Sequence, residues 1–258
     1  MPLLKNTSLK HSLIARTLFV FGLAYYLLIQ SQSISANETI IRAAVAEEFK
    51  GGLQSHYLKY IANQLDMDIR ITTMPFARRI LEVQKGNLDI IVGLDYSQQR
   101  TKELIFIYPA YEKLSFRFFA LNSRSNDIKN YEDLIGKIIG VIRGAQYYVG
   151  FEQDKSLKKY NLKSLNNGIN MLLHGRIDLL IHYEESTLAM LTALNVADRI
   201  SKTYYQPKHS NEHYIAISKK SPLVNKQQQL KVIIEKGIKQ QDFIQMRLKH
   251  YHNEAFPE

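Results

Sequence analysis

The chain contains no cysteine and no tryptophan. Without cysteine there are no disulfides, thiolate metal sites or thiol nucleophiles, so packing and hydrogen bonding must hold the fold. Proline and glycine are sparse, six and twelve in 258 residues, which excludes collagen-like and low-complexity architectures. The net charge is +10, yet no five like charges run together; Lys and Arg are spread along the chain, often beside Asp or Glu. The basic cluster expected of a nucleic-acid-binding face is missing, and no nucleic-acid partner is expected. Long apolar runs are missing too. The longest, Thr17 to Ile29 (TLFVFGLAYYLLI), has 13 residues, against the ~20 that span a bilayer.

What is present is a core and a leader. Hydrophobic residues make up 45% and charged residues 22%, enough to bury one large core or two modest ones. Lys5, Lys10 and Arg16 precede the apolar run, SQSISA follows it, and no acid occurs before Glu38. Basic, apolar and small-residue segments in that order make a secretory signal peptide. The competing reading is an uncleaved membrane anchor, for which the run is short. Cleavage is placed after Ala36, with Ser33 and Ser35 as alternatives, and the mature protein in the periplasm. Its charge falls to +7, because three of the 34 basic residues leave and 31 remain against 24 acids.

From Thr39 onward short apolar runs alternate with amphipathic stretches. Strands are expected at 40–45, 68–73, 89–92, 138–142, 178–181 and 214–217. Helices are expected at 53–65, 76–84, 131–134, 147–159, 165–173 and 223–249. Leu53, Tyr57, Leu58, Ile61, Ala62 and Leu65 carry the helical period. Strands alternating with helices imply βαβ units, hence an α/β fold with a mostly parallel sheet. LEVQKGNLDIIV (81–92) is echoed by NMLLHGRIDLLI (170–181). In both, a helix meets Gly86 or Gly175, then Asp89 or Asp178, then an apolar run, at the same offset of 89 residues. Gly stops the helix, and a continuous apolar run suits a strand covered on both faces. One unit used twice implies two lobes: a leader (1–36), lobe one (37–121), lobe two (122–210) and a C-terminal return to lobe one (211–258). The cleft between the lobes is where a ligand belongs.

GNLDIIVGLDYSQQRTKELIFIYPAY resembles the bacterial extracellular solute-binding proteins of family 3, the receptors of polar amino acid ABC transporters. The matching residues are Gly93, Asp95, Ser97, Arg100, Phe106, Pro109 and Tyr111. YEDLIGKIIGVIRGAQYYVGFEQ and GRIDLLIHYEE are similar to the family's second-lobe segments. The resemblance implies a two-lobed type II periplasmic binding protein fold with a hinge of two crossings. It implies a monomeric receptor that captures a small polar, carboxylate-bearing solute for an ABC permease or a membrane sensor, with no catalytic residue, cofactor or metal. Several positions depart from the family. Its first-loop Asp becomes Ala46, beside Glu47 and Glu48, with Phe49 as the stacking aromatic. A family Thr becomes Asp95, another becomes Ala145, and the lobe-two Asp that binds an α-amino group falls at Tyr183, with Glu184 next.

Chemistry ranks the site residues. Arg100 offers a planar fork for a carboxylate, and Ser97 a hydroxyl donor. Arg143, Gly144, Ala145 and Gln146 follow a strand and open a helix, whose backbone N–H groups favour an anion. Asp95, and behind it Glu47, Glu48 and Glu184, are candidates for an ammonium group. Gly93, Phe49, Phe76 and Tyr183 are candidate walls. His209 to His213 reads H-x-x-E-H, but it runs into a strand pattern, whereas a zinc site of that form needs both His on one helix face. Two other classes stay open: a periplasmic dehydratase or lyase on the same scaffold, and a sensory or interaction module with a decayed cleft.

Overall fold

The structure is a computed structural model that describes residues 40–47 and 51–251. The leader, 1–36, lies outside the described residues, as do Glu48 and Phe49. Strand β1 (Ile41–Val45) pairs in parallel with β2 (Ile69–Thr73). Helix α1 (Leu53–Gln64) joins them and buries the face bearing Leu53, Tyr57, Leu58, Ile61 and Ala62. Helix α2 (Phe76–Lys85) ends at Gly86 and leads to β3 (Ile90–Asp95), whose six residues are all buried. The chain then enters β4 (Leu104–Leu121), an 18-residue strand.

Beyond β4 come β5 (Ile138–Ile142), α3 (Val149–Gln153), β6 (Lys158–Leu162), α4 (Leu165–Leu173), β7 (Leu179–Tyr183), α5 (Glu184–Ala193) and β8 (Ile200–Lys202). Strand β9 (Ser210–Ser218) returns, followed by α6 (Gln227–Lys239) and α7 (Asp242–Tyr251). The sheet is mixed. The βαβ pairs β1–β2, β5–β6 and β5–β7 are parallel. The pairs of β4 with β7, β8 and β9, and of β3 with β9, are antiparallel. Parallel pairs fall where a helix makes the crossover; the antiparallel ones surround β4 and β9, the strands that carry the chain between lobes.

Among the described residues, four apolar clusters form the cores. Two draw on residues 41–111 and 214–251, packing Tyr57, Ile61, Ile215 and Phe243 in one and Ile91, Phe106 and Tyr214 in the other. Two draw on residues 116–205, around Phe116 and Phe151 and around Phe119 and Leu191. Along β4 the clusters change over between Tyr111 and Phe116, ahead of the division expected at 121/122.

The internal echo has a shared geometry. Asp89 Oδ2 accepts from Arg42 N at the start of β1 (2.8 Å), and Asp178 Oδ2 accepts from Ile138 N at the start of β5 (2.8 Å). Each aspartate's own N–H returns the bond, Asp89 N to Arg42 O and Asp178 N to Ile138 O, both 2.8 Å. In each lobe the carboxylate accepts from the N–H at the start of the neighbouring strand, so the two joints are closed by the same reciprocal pair of bonds.

Two expected helices differ. Residues 147–159 give only the five-residue α3, because Asp154 Oδ1 accepts from Ser156 N (2.8 Å) and turns the chain. Lys158–Leu162 then pairs with β5. The stretch 223–249 is a 3-10 turn (Pro222–Lys226) and two helices, parted where Gln241 takes φ +62°. That bend lets Phe243 reach the core between Tyr57, Tyr60 and Tyr111, with ring centroids 5.0–5.5 Å away. Among the described residues no helix is long and apolar enough to cross a membrane.

Candidate functional site

A cavity of about 420 Å³ lies between the lobes. Lobe one contributes Gln54 and Tyr57 from α1, Phe76 and Arg79 from α2, Gly93 and Asp95 from β3, and Tyr111 and Glu112 from β4. Lobe two contributes Phe116, Ala145, Tyr147, Tyr183, and Lys163, Ser164 and Asn167 around the start of α4. His213 of β9 and His250 and Tyr251 of α7 complete the lining.

The deep wall is a polar network. Asp95 Oδ1 accepts from Asn211 Nδ2 (2.8 Å), and the same amide donates to Gln146 O of lobe two (2.9 Å). His213 Nε2 lies 2.8 Å from the Tyr183 hydroxyl and 3.9 Å from Asp95 Oδ1, with Nδ1 3.8 Å from Glu112 Oε2. Glu112 Oε1 accepts from the Tyr57 hydroxyl (3.0 Å) and Arg247 Nη1 (3.1 Å). Burial moves the ionisable groups towards their neutral forms. It pushes the Asp95 carboxyl up to about 6, against the lowering effects of the Asn211 hydrogen bond and the Arg100 charge. It raises Glu112 and lowers His213 to about 4, so the imidazole is neutral at pH 7.

Of the residues expected from sequence, Glu47, Gly93, Asp95, Phe76, Ala145 and Tyr183 line the cavity. Gly93 adopts φ +72°, and a Cβ there would stand 2.7 Å from Gln54 Nε2, so only glycine fits. Tyr183 stacks on Phe116, with centroids 4.7 Å apart. Arg100 stands outside the described lining. It is buried, with Nη1 on Asp95 O (2.7 Å) and Nη2 on Gly144 O (2.8 Å), a tie from lobe one to lobe two. Ser97 lies in the turn before it, its carbonyl accepting from Arg100 N (3.0 Å).

The Arg143–Gln146 segment is a turn rather than a helix start, since α3 begins only at Val149. Two of its amides are already used: Arg143 N donates to Leu162 O and Ala145 N to Ile142 O, both 3.0 Å. Arg143 is exposed. Gly144, at φ +84°, presses on α2, where a Cβ would meet Ala77 at 3.2 Å. Glu184 stands outside the described lining of the main cavity, in ion pairs with Arg117 (2.8 Å) and Lys202; although burial raises its carboxyl, these hold it below its ordinary value.

Sequence reasoning missed Gln54, Tyr57, Arg79, Glu112, Phe116 and His213. His213 drew attention only through H-x-x-E-H, and that stretch runs into β9, on which His213 is buried, while His209, just before the strand, stacks on Tyr148 (4.7 Å). Glu112 follows the motif residue Tyr111, and Arg79 sits one helical turn from Phe76; both signals lie in the sequence.

The curated ABC transporter arginine-binding protein 1 of Escherichia coli (strain K12) is 26% identical over 150 residues, 57% of this chain and 56% of that protein. The match therefore spans little more than half the length of that relative. Among solved structures, an amino acid ABC transporter substrate-binding protein from Streptococcus pneumoniae bound to L-arginine superposes with a TM-score of 0.73 at 16% identity, covering 84% of this chain and 96% of that one. An ancestral arginine-binding protein bound to glutamine gives 0.69 at 19% identity, covering 83% and 98%. At such identities the likeness establishes the fold, a two-lobed type II periplasmic binding protein. The model of one family matches residues 46–242: the chain belongs to the bacterial extracellular solute-binding proteins, family 3.

Proposed function

We propose that the protein is a periplasmic receptor that closes its lobes over a small, polar, carboxylate-bearing solute of amino-acid type and hands it, unchanged, to an ABC permease or membrane sensor. The observation that carries this reading is the cavity itself. At about 420 Å³ it sits within the ~300–1,000 Å³ of small-molecule sites, and both lobes build it. Its volume is open rather than filled by the chain's own side chains, which speaks against a decayed sensory cleft. Asp95 supplies the anionic contact for an ammonium group, and Phe76 and Tyr183 supply aromatic walls. The relatives named for arginine, and bound to L-arginine or glutamine, favour the same solute class. The receptor is monomeric, and the leader is removed near Ala36.

Thermal-shift screening of the mature protein against amino acids, amines and small carboxylates tests this, followed by calorimetry and solution scattering. An amino acid should raise the melting temperature and reduce the radius of gyration. No stabilisation by any compound, or binding without compaction, would sink the proposal. A dehydratase or lyase is the second reading, favoured by Asp95 and the neutral His213 facing the cavity with shifted protonation. NMR of the bound solute after prolonged incubation separates the two, since a receptor returns it unaltered.

A further inference from the structure

The family match ends at residue 242, where α7 (Asp242–Tyr251) begins, yet this last helix reaches the solute cavity. Its root is fixed on lobe one. Phe243 is buried in the core, the Tyr60 hydroxyl donates to Asp242 Oδ2 (2.8 Å), and the Tyr57 hydroxyl donates to Phe243 O (3.3 Å). Its far end meets lobe two. Arg247 Nη1 donates to Glu112 Oε1 (3.1 Å), and its Nε lies 3.5 Å from Glu185 Oε2 in the first turn of α5. One turn further, Tyr251 packs against the lobe-one core, and its hydroxyl interacts with the Ser186 side chain of α5.

These contacts put Tyr251 on a boundary. A second cavity, of about 370 Å³, adjoins the first, and the two share Leu53, Leu114, Tyr183, Ser186 and Tyr251 in their linings. The second is the more highly charged: Lys113, Arg117, Glu185 and Arg247 line it and not the first. Tyr183 is committed to Phe116 and His213, and Leu53 to the core. The contact of Tyr251 with Ser186 joins residues of the two lobes, so it forms as the cleft closes and divides the space there.

Building on the receptor reading above, we propose that Tyr251, set against Ser186, is an end wall of the solute cavity and fixes the length of solute it takes. The wall holds the site to the size of one amino acid. Without it the cavity runs on into a charged extension suited to a second, peptide-linked residue. A purely structural role for Tyr251, holding α7 on α5, predicts the same loss for short and long solutes.

The test takes the amino acid that stabilises the parent most in thermal-shift screening, with the dipeptides that extend it by glycine at its amino and at its carboxyl end. Calorimetry reads the affinity ratios. The parent should prefer the single amino acid to both dipeptides by about tenfold or more, the discrimination typical of a group that a closed pocket cannot fit. Tyr251→Ala should cut that ratio by about tenfold for at least one dipeptide, whereas Tyr251→Phe, which keeps the ring, should keep the parent's ratios. Unchanged ratios for both dipeptides in Tyr251→Ala overturn the wall. So does a fall as large in Tyr251→Phe, or a dipeptide that binds the parent as tightly as the amino acid; none of these results touches the receptor reading. If no amino acid binds, the receptor reading fails and the wall with it. Should Tyr251→Ala lose its cooperative melt, Tyr251→Leu, which shortens the side chain and keeps it apolar, decides by the same ratios.

Discussion

Replacing Arg100 with alanine removes a tie between the lobes. The guanidinium holds Asp95 O at 2.7 Å, at the end of β3, and Gly144 O at 2.8 Å, just beyond β5. Opening the cleft separates these two carbonyls, so the bond to Gly144 exists only in the closed state. A hydrogen bond involving a charged group contributes about 1.5–3 kcal/mol net. Gly144 is exposed and its carbonyl returns to water when the bond breaks, which places the effect at the lower end, about 1.5 kcal/mol. The closed-to-open ratio should then fall by about tenfold, since 1.4 kcal/mol is one decade. Apparent affinity falls by the same factor for every ligand that requires closure. Calorimetry with an amino acid and with its decarboxylated amine reads this directly. The reasoning is refuted if Arg100→Ala costs the acid more than about a hundredfold while sparing the amine, because that selectivity requires direct contact with the carboxylate.

The remaining expectations concern stability. Burial lifts the Asp95 carboxyl to about 6, above the ~3.9 of an unfolded aspartate. The folded state therefore holds this proton more tightly, and the associated stability is full below pH ~4 and lost as pH rises through ~6. Asp95→Asn should accordingly be more stable than the parent at pH 8, with the gap closing towards pH 4 in urea melts; a gap independent of pH would contradict this. His213 has the opposite sign. Its folded value of about 4 lies below the ordinary ~6.5, so its contribution is intact above pH ~6.5 and lost as pH falls towards ~4. His213→Gln should flatten that acid limb of the stability profile, and an unchanged limb would remove His213 as its source. Phe243 is 2% exposed among three tyrosine rings; Phe243→Ala should cost about 3–5 kcal/mol in urea unfolding, and a loss under about 1 kcal/mol would mean α7 is not anchored as described.

Several elements were legible because their signals are local. The period of Leu53, Tyr57, Leu58 and Ile61 describes the buried face of α1. The repeated Gly–x–x–Asp–apolar joint marks β3 and β7, and in both lobes its aspartate caps the start of the neighbouring strand. The helix expected at 147–159 was misjudged because the Asx turn at Asp154 and the pairing of Lys158–Leu162 with β5 outweigh a weak helical period. Strand β4 went unplaced, since its 18 residues change partners from β9 to β7 and β8 midway and no single alternation runs through them.

The paired α/β unit pointed to two lobes and the motif residues carried the resemblance to the family, because secondary-structure period and chain order are written along the sequence. Which residues face the cleft was decided only by the tertiary structure. Arg100 and Arg79 are both buried guanidiniums separated by 21 positions, and nothing local distinguishes them. The difference arises from what the second lobe brings near each one. Gly144 meets Arg100 with a carbonyl and turns it into a tie, whereas Arg79 lies on the lining of the cavity. The same closure places Tyr183 on His213 and Asn211 between Asp95 and Gln146. These contacts join residues 30, 116 and 65 positions apart, distances over which only the path of β4 and β9 through the hinge sets the geometry.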